Sequence, residues 1–419
     1  MLIESISMLD GYGVLMTDPS ETDRHGAPRL TTREAAELLG VKPETVYAYV
    51  SRGQLSSVRA AGGRGSTFDA DEVRALARRS GRREPSPAGG DLAFRTGITL
   101  IEDDRCYFRG VDATELAGRY GYEEVAEWLW TGRRRSGARF TAPAVPLAAA
   151  RRAVDAPVSL CIRDSTDPLR FDLSPDAVLN SARGLIPTLV GALPLLGEPA
   201  PEGSSLAREL WSRLTPRAAD APAPAVLDAA LALLIDHDLA ASTLAARVAA
   251  SARAHPYAVV SAGLGVLEGP LHGAASGLAH RMLQEAVDRG SAVPVVADHL
   301  RTGRRVPGLG HRLYRGEDPR ATLLFELLAR VPQAAGALAA AREVVATTAR
   351  HTPLHANIDL ALAVLSVSAG MPAEAGETVF AVARTAGWVA HALEEYEERP
   401  LRIRPSGQYT GPRPPQPLP

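Results

Sequence analysis

The sequence predicts a mainly α-helical chain of two parts, a short N-terminal module of small helices and a far larger helical body. Three observations carry that expectation. Stretches such as VLDAALALLIDHDLAASTLAARVAASA, ATLLFELLARV and ETVFAVARTAGWVAHALEEYEE are rich in Ala and Leu, with apolar residues at steps of three and four, the helical period. Alternating apolar and polar runs, the mark of strands, are nearly absent from the same region. The stretch RRSGRREPSPAGG, from Arg78 to Gly90, has the composition of a linker and separates the two parts.

The elements follow in order. Residues 1–28 are polar and turn-rich and read as a flexible leader. A module at 29–80 comes next. Thr31 and Glu34 have capping-box spacing, and Ala35, Leu38 and Leu39 supply the apolar face of a first helix. Gly40 suits the left-handed residue that ends it, and Pro43 suits the first turn of a second. Gly62, Gly63 and Gly65 allow a sharp hairpin, and Asp69 with Glu72 is placed to cap a third helix. Two short helices around a Gly-containing turn, followed by a hairpin, resemble the winged helix-turn-helix of the MerR and excisionase type. The resemblance implies DNA contacts by Lys42, Thr45, Tyr47, Tyr49 and Arg52, with Arg59 and Arg64 on the wing facing phosphates. Val46 and one of the tyrosines are expected in the small core instead.

A linker at 81–91 leads to a body at 92–412, and a Pro-rich tail closes the chain at 413–419. Net charge over the 419 residues is −2, so bulk electrostatics favour neither nucleic acid nor membrane, and any DNA contact needs a local patch. The two cysteines, Cys106 and Cys161, stand in unlike surroundings, which fits a reducing compartment and neither a disulfide nor a thiolate metal site. Apolar stretches are broken by charge or proline before spanning length, and the N-terminus lacks the pattern of a signal peptide. A cytoplasmic protein without membrane contact is expected.

Within the body, polar residues recur in separate, motif-like settings. In chain order they are GITLIEDDRCYFRGVDATELAGRYGYEEVAEWLWTG, IDHDLAASTLAARVAAS, GPLHGAASG, GLGHRLYRGEDPR, ANIDLALAVLS, FAVARTAGWVAHALEE and RIRPSGQYTGP. Seven blocks in this order resemble the citrate synthase family, over roughly Gly97 to Pro412. The resemblance implies a large and a small helical domain, the small one at about 274–380, closing over the substrates.

It also implies a chemistry. A Claisen condensation needs a base for a weakly acidic methyl group, a donor for the enolate oxygen and a donor to polarise the ketone under attack. Carried onto this sequence, Asp359 is the base, His272 the enolate partner and His311 the ketone's donor. Oxaloacetate is a dianion, for which arginine is suited by its planar fork and permanent charge. Arg320, Arg384 and Arg404 match its binding positions, with His237 touching it, Phe380 bordering the acetyl group and Arg315 contacting CoA phosphates. Arg404 would reach into a neighbouring subunit, making a homodimer the minimum active unit. No metal or bound cofactor is implied, acetyl-CoA being a co-substrate. His255, His280, His351 and His391 read as structural or surface residues, and Arg399 and Arg402 as solvated.

The pattern is not kept throughout. Leu234 stands where bacterial members often have a histidine, and Ala240 where an asparagine commonly precedes Ala-Ser-Thr. His272-Gly273-Ala274-Ala275-Ser276-Gly277 replaces a His-Gly-Gly-Ala-Asn-Glu run. The expected activity is condensation of acetyl-CoA, oxaloacetate and water to citrate and CoA. The alternatives are 2-methylcitrate synthesis from propionyl-CoA and a DNA-binding regulator using the body as a metabolite sensor.

Overall fold

The computed structural model describes residues 29–39, 41–59, 65–79, 94–142, 153, 167–220, 222–269, 272–403 and 410–411. The leader, the linker, the tail, Gly40, Gly62, Gly63, Arg64, Cys161 and Arg404 lie outside them. The chain divides into two compact units, one up to Arg95 and one from Thr96.

In the first unit β1 (Arg29–Thr31) leads into α1 (Thr32–Leu39) and α2 (Pro43–Ser51), then β2 (Ser57–Arg59), β3 (Ser66–Asp69) and α3 (Ala70–Arg79). The capping box forms as the spacing predicts: the Thr31 amide donates to Glu34 Oε2 (2.7 Å), and the Glu34 amide to Thr31 Oγ1 (3.3 Å). Pro43 opens α2. The strands are antiparallel in the order β1-β3-β2, and β1 was not foreseen. Ala35, Leu39, Val46, Leu55, Phe68 and Val73 form the core, with Tyr49 packed at its edge. Asp69 caps α3 through the amides of Asp71 and Glu72. The Glu72 carboxylate does not share in the cap. It accepts from the Ser56 amide and hydroxyl, tying α3 to the loop before β2.

The second unit opens with a small antiparallel sheet of β4 (Thr99–Glu102), β5 (Arg105–Phe108) and β6 (Val111–Asp112). This corrects the expectation of an almost strand-free body; strands of two to four residues are too short to show a period. The helices follow: α4 (Ala113–Arg119), α5 (Tyr122–Thr131), α6 (Pro175–Gly191), α7 (Leu206–Leu214), α8 (Ala223–Leu234), α9 (Ala241–Ser251) and α10 (Pro256–Leu267). After them come α11 (Ala275–Asp288), α12 (Val293–Arg301), α13 (Pro319–Leu328), α14 (Ala335–Ala349), α15 (Ile358–Ser368) and α16 (Ala375–Glu397). Among the described residues no single helix is long and apolar enough to cross a membrane.

The 23-residue α16 is the central post, buried around most of its circumference and packed on α5, α6, α8, α9 and α10. Its close approach depends on glycine: a Cβ at Gly263 of α10 would lie 2.6 Å from the Trp388 ring. Below it, Arg247 donates to His391 Nδ1 (2.8 Å) and Glu395, so His391 is structural, as expected. Arg402 is exposed, as expected, yet its guanidinium is engaged. It makes a fork onto Glu395 (2.8 and 2.6 Å), because that carboxylate is wholly buried and needs cations.

Candidate active site

The glycines of GLGHRLYRGEDPR have a structural task. Gly308 and Gly310 both adopt φ +78°, a region that favours glycine. The loop they shape is zipped to the segment before α15. The Gly310 amide donates to the His355 carbonyl (2.8 Å), and the Asn357 amide to the Gly308 carbonyl (2.9 Å). Asn357 Nδ2 adds a bond to the Gly310 carbonyl (2.8 Å), while its Oδ1 caps α15 through the Asp359 amide. His311 is thereby set beside the helix start that carries Asp359. A Cβ at position 308 would lie 2.8 Å from Leu360 Cβ. Gly308→Ala should therefore cost roughly 2 kcal/mol or more, read as a lowered melting temperature.

Around this loop a buried polar cluster assembles. Asp318 caps α13 and takes Arg320 as a fork, Nε to Oδ1 (2.9 Å) and Nη2 to Oδ2 (2.8 Å), both side chains almost wholly buried. Asp318 Oδ2 also accepts from the Ile358 amide, so one carboxylate joins the starts of α13 and α15. Burial would push the Asp318 carboxyl up, but Arg320 holds it below its usual range. The Arg320 guanidinium lies over the Tyr314 ring, 5.4 Å from its centre. The Tyr314 hydroxyl meets His237 Nε2 at 2.8 Å, and the His237 and His311 rings stand edge to face at 5.1 Å.

Both donors predicted for the reacting oxygens are neutral imidazoles. Burial, with Arg320 nearby, pushes His311 down to about 4; burial, with Arg384, does the same to His272. His237 is pushed well below its ordinary value by burial and then by Arg320, Arg384 and His311. The Leu313 amide donates to His311 Nδ1 (3.0 Å), so in the neutral ring Nε2 carries the proton. Arg320 Nη2 comes within 3.4 Å of Nε2, so both ring nitrogens of His311 face a donor. His272 Nε2 is engaged by the Ser242 hydroxyl at 2.8 Å, and with the hydroxyl as donor the single proton of the neutral ring sits on Nδ1. In nitrogen-detected NMR, His311 and His272 should stay neutral through pH 6 and titrate near about 4. A titration near the ordinary histidine value of about 6.5 would contradict this.

Asp359, half-buried on the first turn of α15, accepts from Ser276 Oγ at Oδ1 (2.5 Å). Burial raises its carboxyl above the usual range, against the pull of Ser276 and Arg320. Arg384, on α16, is almost wholly buried. Among the described residues it donates to one acceptor, the Leu234 carbonyl, through Nε (2.9 Å). Burial lowers it to about 10, so it is charged at neutral pH with its terminal nitrogens available to an anion. The substitution at Leu234 leaves this bond intact, since the backbone makes it. Phe380 stacks one turn before Arg384, its ring centre 5.8 Å from the guanidinium carbon. Arg315 is exposed, and the amides of Arg315 and Gly316 are clamped by the Asp104 carboxylate (2.7 and 3.0 Å). His237, His311, Tyr314 and Arg320 are thus in contact, while the charge of Arg384 reaches His272 and that of Arg320 reaches Asp359.

Sequence reasoning passed over Tyr314, Asp318, Ser242, Ser276 and Asp104. Tyr314 and Asp318 lay inside a quoted motif, and an Asp-Pro step is a helix-start signal that marks Asp318. In the N-terminal unit Lys42, Tyr47, Arg52 and Arg59 are exposed and Thr45 is half-buried, while Tyr49 packs inward. The Tyr47 hydroxyl meets Thr32 Oγ1 at 3.1 Å, so that ring is partly held by α1.

A helical body that holds neutral imidazole donors, buried guanidinium groups and a perturbed carboxylate at helix starts defines an acid–base enzyme for anionic carbonyl substrates. Comparison with known proteins makes this specific. Residues 184–406 match the family described as citrate synthase, C-terminal domain, and residues 29–81 match a helix-turn-helix domain family. The citrate synthase of Haloferax volcanii is 31% identical over 371 residues, 77% of this chain and 94% of that protein. The 2-methylcitrate synthase of Shewanella oneidensis is 32% identical over 197 residues, covering 46% of this chain and 52% of that enzyme. The crystal structure of citrate synthase from Thermotoga maritima superposes with a TM-score of 0.63 at 26% identity, covering 79% of this chain and 96% of that one. The chain belongs to the citrate synthase family.

Proposed function

We propose that the chain condenses acetyl-CoA with oxaloacetate and water to give citrate and CoA. The observation that carries this is the cluster of buried imidazoles and arginines gathered at the helix start that bears the Asp359 carboxylate. Asp359 takes a proton from the thioester methyl, and His272, held at Nε2 by Ser242, donates from Nδ1 to the enolate oxygen. The enolate carbon attacks the oxaloacetate ketone, whose oxygen accepts from His311 Nε2 as it gains charge. Water then cleaves the thioester. Arg384 and Arg320 bind the carboxylates, with Arg404 of a second copy completing the set in a homodimer. His237 lies against the bound dianion, Phe380 against the acyl group, and Arg315 meets the CoA phosphates. The segment at about 274–380 closes over both substrates and excludes water.

Propionyl-CoA is the second reading, favoured by the 2-methylcitrate synthase relative. One methylene is worth only about 1–3 kcal/mol in an apolar pocket, so the ratio of kcat/KM for the two thioesters decides. Thiol release from acetyl-CoA that requires oxaloacetate supports the leading reading; release from propionyl-CoA alone assigns the second. The N-terminal unit is proposed to bind DNA through Lys42, Thr45, Tyr47 and Arg52, with Arg64 on the wing. A gel shift on fragments from the protein's own genomic neighbourhood, weakening with salt, would support this, and its absence would count against it.

A further inference from the structure

We propose that Ser276 is a positioning residue for the base: packing fixes its hydroxyl on Asp359 Oδ1 and leaves Oδ2 to take the methyl proton. The inference rests on Asp359 being the base of the condensation. Three helix starts meet here, Ser276 on α11, Asp359 on α15 and Gly376 on α16. Ser276 is 2% exposed, and a Cβ at Gly376 would lie 2.5 Å from its own Cβ. The serine side chain is thus walled in and its hydroxyl cannot swing to water. Among the described residues it is the one donor to the Asp359 carboxylate.

The bond has two consequences. It selects one carboxylate oxygen for catalysis by occupying the other. It also favours the ionised form, opposing the burial and the Asp318 charge that drive this carboxyl toward protonation. The side chain that does this stands where the family pattern has asparagine, in the run whose departures were noted from sequence.

The test compares the wild-type protein with Ser276→Ala and with Ser242→Ala, which touches His272 and not Asp359. Loss of a hydrogen bond to a charged group should move the acid limb of kcat/KM for the acyl-CoA upward by about one pH unit in Ser276→Ala. The carboxyl resonance of Asp359, read in protein labelled with 13C at the aspartate carboxyl and assigned by its loss in Asp359→Asn, should move by the same amount. Ser242→Ala should leave that titration in place. An unmoved Asp359 titration in Ser276→Ala would overturn the proposal. The carboxyl titration needs no turnover, so it decides the hold on Asp359 even if the wild type releases no CoA, an outcome that would refute the activity instead.

Discussion

Asp359→Asn should lower kcat by about 10²–10⁴-fold, the range for removing a general base, while oxaloacetate affinity changes by no more than a few-fold. The two effects separate because the arginines and imidazoles that meet the dianion are held by other partners: Arg320 by Asp318, Arg384 by the Leu234 carbonyl, and His311 by the Leu313 amide. The fold should survive, since the amide oxygen at position 359 can still accept from Ser276. Stability should stay level or rise. The carboxyl is raised by burial, so its ionised form costs folding free energy at neutral pH, and the amide removes that cost. Turnover by isothermal enzyme assay, affinity by calorimetry and a melting curve check the three parts. Unchanged turnover would remove Asp359 from the mechanism.

Arg320→Met carries the second large effect, on stability and binding together. It strips the partner from an Asp318 carboxylate that is 1% exposed, and breaking a buried pair from one side costs about 3–5 kcal/mol. The melting temperature should fall by roughly 5–10 °C. Asp318 keeps its bond from the Ile358 amide, so the start of α15 retains that tie while the carboxylate loses its cation. Oxaloacetate affinity should drop by about a hundredfold or more, as charge-assisted bonds are lost. Arg384→Met offers the contrast. Its guanidinium makes one protein bond among the described residues, so affinity should suffer more than stability.

What could be read from sequence follows from what is local. The capping box at Thr31 and Glu34 closes within four residues, and Pro43 fixes its own φ, so both were legible without a partner. The long helices were legible because Ala and Leu repeat over several turns. The β4–β6 sheet was not, its strands being too short for a period. Contacts between distant segments left no local trace. Glu72 turns to Ser56 in an exposed contact between α3 and the loop before β2, and Arg402 turns to Glu395, a buried carboxylate that needs cations.

The site divides in the same way. The residue types of His237, His272, His311, Arg320, Asp359 and Arg384 were visible as motif members, and the structure links them by contact and by charge. The hydrogen-bond partners of His311 and His272 were not visible, because Leu313 and Ser242 supply them from outside the motifs' predicted site residues. Nor was the zipper between Gly308–Gly310 and His355–Asn357, which turns two glycines from a signature into a hinge of the architecture. Arg404 and Arg64 lie outside the described residues, and their roles stand as proposals.

The most direct measurement uses acetyl-CoA carrying three deuterium atoms on its methyl group, incubated with oxaloacetate and the purified protein, with products read by mass. Removal of one methyl deuteron by a base followed by carbon–carbon bond formation predicts citrate retaining two deuterium atoms, appearing in step with free CoA and vanishing in Asp359→Asn. Free CoA accompanied by acetate that keeps all three, with no labelled citrate, would mean simple thioester hydrolysis and would contradict the condensation.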